Sequence, residues 1–70
     1  MAETIKNNVY QLRLVKKTTQ EELAHAVGVT RQTIIAIEKG NYVPSVLLTL
    51  KIAKFFHTTV EDIFKITYEK

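Results

Sequence analysis

The segment from residue 19 to residue 40 reads TQEELAHAVGVTRQTIIAIEKG. It begins with Thr19, and Glu22 follows three residues later, which is the capping-box pattern of a helix N-terminus. Gly28 can adopt the left-handed conformation in which many helices end, at no steric cost. We therefore predict a short helix that begins after Thr19 and ends at Gly28.

A second short helix is predicted in the same segment, directly after the glycine. Thr30 is a residue type that caps helix N-termini, and Gly40 can end the helix. Ile34 and Ile37 supply an inward-facing stripe between them. Two short helices joined by a tight turn that contains glycine predict a helix-turn-helix, with its core at residues 19–40.

Two longer helices are predicted on either side of this segment. The first spans roughly residues 7–16, with Val9 and Leu12 on one inward stripe. The fourth spans about residues 46–56 and is capped by Ser45. The helical repeat places four residues of the fourth helix inward: Val46, Leu50, Ala53 and Phe56.

The C-terminal part predicts one more helix and an extended tail. Thr58 and Glu61 form a second capping box, so a short fifth helix is expected through Phe64. The stretch Ile66-Thr67-Tyr68 alternates and is rich in strand-forming residues, so it could pair with Thr4-Ile5 or with a second copy of itself. The predicted fold is all-α, a compact five-helix domain with short terminal β-strands as an option.

Composition narrows the class of protein. Seventy residues with 46% apolar content favour a single domain, residues 1–70, with one small core. No cysteine is present, so neither a disulfide nor a zinc cage is expected, and a cytoplasmic location is the default. The longest apolar run, Ile34 to Ile37, has only four residues, so no membrane role is expected. The net charge of +3 is a modest bias toward polyanionic partners.

The chain closely resembles the Cro/repressor class of helix-turn-helix proteins, the XRE family. The resemblance covers nearly the whole chain, and its marks are Thr19-Gln20, Glu22-Leu23-Ala24, Val27-Gly28-Val29, Arg31-Gln32-Thr33-Ile34, Ile37-Glu38-Lys39-Gly40, Pro44-Ser45, Lys51-Ile52-Ala53 and Glu61-Asp62-Ile63-Phe64. It implies sequence-specific binding of double-stranded DNA by a transcriptional regulator. Repression is the default expectation, because no activating region is visible.

The third helix is expected to read base edges in the major groove. If Ile34 and Ile37 point inward, the opposite side of the helix faces outward. Gln can pair with adenine through two hydrogen bonds, Arg can do so with guanine, and an apolar side chain can pack on a thymine methyl. The residues predicted to read bases are Arg31, Gln32, Thr33, Ile35 and Ala36. For Ile35, a protein contact or an ordinary exposed position stays open as an alternative.

Contacts to DNA phosphates are expected at both ends of the helix-turn-helix. Following the family pattern, the resemblance implies such roles for Gln20, Asn41 and Tyr42, and we add Thr30 and Lys39. Such contacts set register rather than sequence. Without the family pattern, Gln20 is interpreted as a solvated residue at a helix start, Arg31 as the partner of a neighbouring carboxylate and Lys39 as a cation at a helix C-terminus. The resemblance also implies an ion pair between Arg13 and Glu38, which we interpret as structural.

A homodimer on a palindromic operator is expected, since two recognition helices can then read half-sites about 34 Å apart. Surplus apolar residues place the predicted dimerisation region at residues 47–70. The residues predicted for the interface are Leu48, Ile52, Phe55, Ile66 and Tyr68. The alternative is that Phe55 or Leu47 only covers the domain's own core. Very short members of the family are dimers with a terminal sheet, which the resemblance extends to this chain.

Other classes of function are less well supported. An enzyme needs convergent titratable groups, but His25 and His57 have no companions at catalytic or metal-ligand spacing. Neither a cofactor, a metal nor a small-molecule effector is expected. The alternative that stays open is a protein-binding role, as the antitoxin of a toxin pair or as an anti-repressor.

Overall fold

The computed structural model describes residues 2–69, which form helices flanked by two strands. The elements in chain order are β1 (Ala2–Asn7), α1 (Val9–Val15), α2 (Gln20–Val27), α3 (Arg31–Glu38), α4 (Val46–Phe55), α5 (Val60–Ile63) and β2 (Phe64–Glu69). The fold is therefore a five-helix, helix-turn-helix domain with a small antiparallel sheet, mostly helical rather than all-α. Helices α2 and α3 are the predicted helix-turn-helix pair.

Local signals in the sequence set the ends of α2 and α3. The Glu22 N–H donates to Thr19 Oγ1 at 3.0 Å, and the Thr19 N–H donates to Glu22 Oε1 at 2.8 Å. This capping box confirms the predicted start of α2. Gly28 ends α2 with φ of 78°, in the left-handed region that favours glycine. The Thr33 N–H donates to Thr30 Oγ1 at 3.3 Å, so Thr30 caps α3 as predicted.

The core is built from one side of each helix. Leu23, Ile34, Ile37 and Ile52 have no exposed surface, and they bring α2, α3 and α4 together. The buried apolar set is Val9, Leu23, Ala24, Val27, Ile34, Ile37, Leu48, Ile52, Ala53 and Ile63. The inward stripe predicted for α3 is confirmed, because both of its isoleucines are fully buried.

The two terminal strands pair with each other in antiparallel register. Ile5 lies opposite Ile66 and Thr4 opposite Thr67, so the extended tail pairs within its own chain, one of the two predicted options. We call this pair of strands the terminal ribbon. Side chains alternate between its faces, which puts Ile5 and Ile66 on the face opposite to Thr4 and Thr67.

Helix α1 is shorter than predicted at both ends. Residue Asn7 was expected to be helical, but it ends β1 opposite Phe64, and the helix begins at Val9. The Val9 N–H donates to Asn7 Oδ1 at 3.1 Å. Pairing with the distant β2 strand, which no local signal could reveal, keeps Asn7 extended.

Helix α5 begins one residue later than predicted. Its cap is Thr59, whose side chain accepts from the Asp62 N–H at 3.2 Å. The prediction that Thr58 is the cap is wrong, because the Thr58 N–H donates to Ala53 O and so belongs to the end of α4. The Thr58 hydroxyl instead donates to Asp62 Oδ2.

The inward side of α4 differs from the prediction. Val46 is 77% exposed and Leu50 is 54% exposed, although both were expected to face inward. Leu48 (6% exposed) and Ile52 (0%) take their place in the core. These two side chains are buried in the core of their own domain, so they are not available to a second copy of the chain. The prediction that they lie in a dimer interface is therefore wrong.

Candidate nucleic-acid interface

The outward side of α3 begins with two exposed polar side chains. Arg31 and Gln32 are exposed, whereas Thr33, Ile35 and Ala36 are half-buried. The two buried isoleucines of the same helix hold its other side in the core. The helix therefore presents long side chains with hydrogen-bond donors near its N-terminus, on a backbone that packing keeps in place.

The hydroxyl groups of Thr30 and Thr33 are occupied by local structure. Thr30 Oγ1 accepts the Thr33 N–H and lies 3.2 Å from Thr33 Oγ1. Each hydroxyl keeps spare hydrogen-bonding capacity, but its position is set by the cap. Of the residues predicted to read bases, Arg31 and Gln32 are thus the most available.

The carboxylate of Glu38, at the end of α3, accepts three hydrogen bonds from side chains of α1 and α2. Arg13 Nε donates to Glu38 Oε2 at 2.7 Å, and Arg13 Nη2 donates to Glu38 Oε1 at 3.1 Å. Gln20 Nε2 donates to Glu38 Oε1 at 3.0 Å. Both side chains of the ion pair are at most 9% exposed. The structure therefore brings Arg13 and Glu38 together as a bidentate pair inside the domain, not on the outward side of α3.

The surroundings of Arg13 complete the site. Its Nη1 donates to Thr18 O at 3.0 Å, and its guanidinium lies 5.3 Å from the centre of the Tyr10 ring. The hydrogen bonds with Glu38 raise the pKa of Arg13, so the guanidinium stays charged at neutral pH. A charged group in this place ties the end of α1 to the end of α3.

Gln20 is oriented by the same carboxylate. An amide NH2 group has two hydrogens, and one of them points to Glu38. The other remains able to donate. The contact therefore holds a donor at the N-terminus of α2, where a DNA phosphate would also meet the positive end of the helix.

The turn after α3 carries three of the other residues predicted at phosphates. Lys39 and Asn41 are exposed, and Tyr42 is 46% exposed. Gly40 has φ of 79°, and the Asn41 N–H closes the helix by donating to Ala36 O at 2.9 Å. The turn is thus ordered by backbone bonds while its polar side chains are accessible.

An open groove of about 810 Å³ runs beside the N-termini of α2 and α3. Tyr10 and Lys17 line it together with Gln20 and Arg31. No DNA role was predicted for Tyr10 or Lys17. The signal that could have drawn attention to this edge was Lys17, a lysine two residues before Thr19, which caps α2.

Other kinds of site are not found in the described part of the chain. Within residues 2–69, no cluster of three or more His, Cys, Asp or Glu is placed to hold a metal ion. None of the helices there combines the length and apolar character needed to cross a membrane. His25 and His57 are both exposed.

The family of the chain follows from comparison with known proteins. Residues 9–63 match the helix-turn-helix family model, and the chain belongs to this family, in its XRE-type form. A helix-turn-helix-type transcriptional regulator of Methanocaldococcus jannaschii is 57% identical over 60 residues, covering 86% of this chain and 91% of that protein. The regulator YgzD of Bacillus subtilis matches with the same identity and coverage.

A more distant relative is a named repressor. The transcriptional repressor RstR of the cryptic phage CTXphi in Vibrio cholerae is 32% identical over 57 residues, covering 81% of this chain and 51% of that protein.

Solved structures show the same fold. The restriction-modification controller protein C.AhdI from Aeromonas hydrophila superposes with a TM-score of 0.72 at 28% identity, covering 77% of this chain and 82% of that one. The transcriptional regulator VanUg has a TM-score of 0.78 at 24% identity, covering 99% of this chain and 92% of that one.

The chain is a transcriptional regulator with a helix-turn-helix DNA-binding domain. The family and the named relatives are DNA-binding regulators rather than enzymes. The alternative of a protein-binding role alone is not favoured by these matches.

Proposed function

We propose that this protein is a sequence-specific repressor that binds a palindromic operator as a homodimer. The observation that carries this proposal is the contrast between the two sides of α3. Ile34 and Ile37 are fully buried, whereas Arg31 and Gln32 are exposed at the N-terminus of the same helix. A helix held in this way can place the two polar side chains repeatedly at the same base edges.

Each exposed side chain has a chemical role in this proposal. Arg31 donates to a guanine edge and Gln32 pairs with an adenine edge, while the half-buried Thr33, Ile35 and Ala36 contact the neighbouring base or a thymine methyl. The contacts to phosphates come from Gln20, Thr30, Lys39, Asn41 and Tyr42. We infer repression rather than activation because RstR, which matches most of the chain, is named a repressor.

The proposed dimer uses apolar surface outside the recognition segment. Ile66 is 66% exposed and Tyr68 is 59% exposed, although both lie on a two-stranded ribbon that is too small to be stable as an isolated sheet. Phe55 packs partly against the core, so its contribution is smaller. On α4, Leu47 is 64% exposed and adds to the same surplus. Residues 19–40 then form the recognition part of one domain, and residues 47–70 its dimerisation part.

DNA binding is tested by gel shift. The unaltered protein is used to select duplexes from a random-sequence pool and is then titrated against the selected duplex and a scrambled one. We expect selection of a palindromic site and a clear preference for it over the scrambled duplex. Equal affinity for both duplexes, or selection of sites without two-fold symmetry, would contradict the proposal.

Dimerisation is tested by sedimentation equilibrium at micromolar concentration. The unaltered protein is expected to sediment as a dimer, and the double variant Ile66→Lys with Tyr68→Lys as a monomer. Thr4→Lys is the matched control, because it adds a charge to the opposite face of the same ribbon and should leave the dimer intact. A monomer for the unaltered protein, both free and on the selected duplex, refutes the dimer.

A further inference from the structure

We propose that Asn7 is a positioning residue for the recognition helix. Its side chain joins the base of the terminal ribbon to the last turn of α3, and this contact sets how well α3 discriminates its operator. The inference rests on the proposed function, since it assigns a determinant of specificity to a side chain that need not touch DNA.

Asn7 lies where three elements meet. It is the last residue of β1, opposite Phe64. Its Oδ1 accepts the Val9 N–H at 3.1 Å, at the start of α1. Its Nδ2 donates to Ile37 O at 2.9 Å, thirty residues away in the chain. A single half-buried amide therefore connects the ribbon, α1 and α3.

The two hydrogen bonds determine the orientation of the amide. A backbone N–H can only donate, so the atom facing Val9 must be the oxygen. A carbonyl can only accept, so the atom facing Ile37 must be the nitrogen. Asparagine meets both requirements at once, whereas an ionised aspartate has no hydrogen to donate to the Ile37 carbonyl. A serine hydroxyl has one, but the side chain is too short to reach that carbonyl while it accepts the Val9 N–H.

The last turn of α3 is consequently held at two neighbouring residues. The Ile37 carbonyl is held from the ribbon by Asn7, and the Glu38 carboxylate is held by Arg13 and Gln20 from α1 and α2. The contact from Asn7 is made to the backbone of α3, and the contacts from Arg13 and Gln20 are made to a side chain of α3. Together they oppose both rotation of α3 about its axis and sliding along it.

Loss of the hydrogen bond from Asn7 to Ile37 should affect specific binding more than general affinity for DNA. Bidentate hydrogen bonds to bases tolerate little displacement, whereas attraction to phosphates depends weakly on the exact position of the helix. A small rotation of α3 would therefore reduce operator binding while binding to unrelated DNA changes little. A residue that only stabilised the fold would lower both together.

Two variants remove the contact to Ile37 while keeping the one to Val9. Asn7→Asp retains the oxygen acceptor but turns a carboxylate oxygen toward the Ile37 carbonyl. Asn7→Ser retains an acceptor for the Val9 N–H but is too short to reach Ile37, and it leaves the net charge unchanged. Gln11→Glu is the matched control, because it makes the same change of charge at an exposed position of α1.

The measurement is the ratio of affinity for the selected duplex to affinity for the scrambled duplex. We expect this ratio to fall about tenfold in both Asn7 variants. The affinity of Asn7→Asp for the scrambled duplex should stay within about twofold of that of Gln11→Glu, which has the same charge. The affinity of Asn7→Ser for the scrambled duplex should stay within about twofold of that of the unaltered protein. Hydrogen exchange supplies an independent readout. The Gly40 and Asn41 amides, which close the last turn of α3, should lose protection while the Val9 amide keeps it.

Two outcomes of the affinity measurement would overturn the assignment. One is an unchanged ratio in both Asn7 variants, and the other is an equal fall in Gln11→Glu, which would indicate a charge effect. The hydrogen-exchange comparison needs no operator. It therefore tests the role of Asn7 independently of the proposed repressor function. If selection returns no palindrome, the proposed function fails, whereas an unchanged exchange rate at Gly40 and Asn41 overturns the role of Asn7 itself.

Discussion

Helices α3 and α4 differ in how their sequences mark the side that faces the core. In α3 the sequence RQTIIAIE mixes polar and apolar residues, and the two buried isoleucines are the ones that the helical repeat predicts. In α4 seven of the ten residues of VLLTLKIAKF are apolar, so more than one inward side satisfies the repeat. The structure buries Leu48 and Ile52 and leaves Val46 and Leu50 exposed.

The difference shows what polar residues contribute to a prediction. A polar side chain identifies the outward side of a helix, since burying it without a partner is costly. Where polar residues are scarce, the choice of side depends on which rotation packs best against the neighbouring helices. The same surplus that makes α4 hard to predict leaves Leu47 64% exposed, and the proposed dimer uses this side chain.

The largest effect is expected from breaking the ion pair that holds α3. Arg13→Ala would leave Glu38 as a buried charge with one remaining donor, and we expect it to cost about 3–5 kcal/mol of unfolding free energy. Urea unfolding measures the loss. A double-mutant cycle with Glu38→Ala should show strong coupling, and strict additivity of the two variants would contradict the pairing.

The next prediction compares truncation of a side chain on the buried side of α4 with truncation of one on its exposed side. Ile52→Ala removes a fully buried side chain and is expected to cost about 2–5 kcal/mol, because it creates a cavity in the core. Leu50→Ala is the matched control on the exposed side, with a change within about 0.5 kcal/mol. Thermal and urea unfolding decide the comparison, which is reversed if Leu50→Ala is the more destabilising of the two.

The smallest effect concerns the outward side of α3. Gln32→Ala is expected to weaken operator binding by about 1–3 kcal/mol and to relax discrimination at one base pair of each half-site. Binding to unrelated DNA should barely change. Lys39→Ala provides the contrast, since loss of a phosphate contact lowers both affinities and makes the salt dependence shallower. If Gln32→Ala lowered affinity for the operator and for unrelated DNA equally, Gln32 would not be a residue that reads a base.

Much of the recognition region could be predicted from the sequence. Its helix ends follow from Thr19 with Glu22, from Gly28 and from Thr30, all of which act within a few residues of themselves. The pairing of Arg13 with Glu38 was implied by family resemblance and not by any local rule. The engagement of Gln20 by Glu38 and the role of Asn7 as a link were not predicted, because both depend on residues distant in the chain.

The number of helices, the helix-turn-helix and the inward stripe of α3 could all be predicted from the sequence, since each depends on caps, turns and periodicity that act over short distances. The folded chain was needed to show which side of α4 is buried, whether β2 pairs with β1, and where the helix after Asn7 begins. These outcomes depend on contacts between distant segments. Packing in the core, where α4 contacts α2 and α5, selects Leu48 and Ile52, and strand pairing keeps Asn7 extended beside α3.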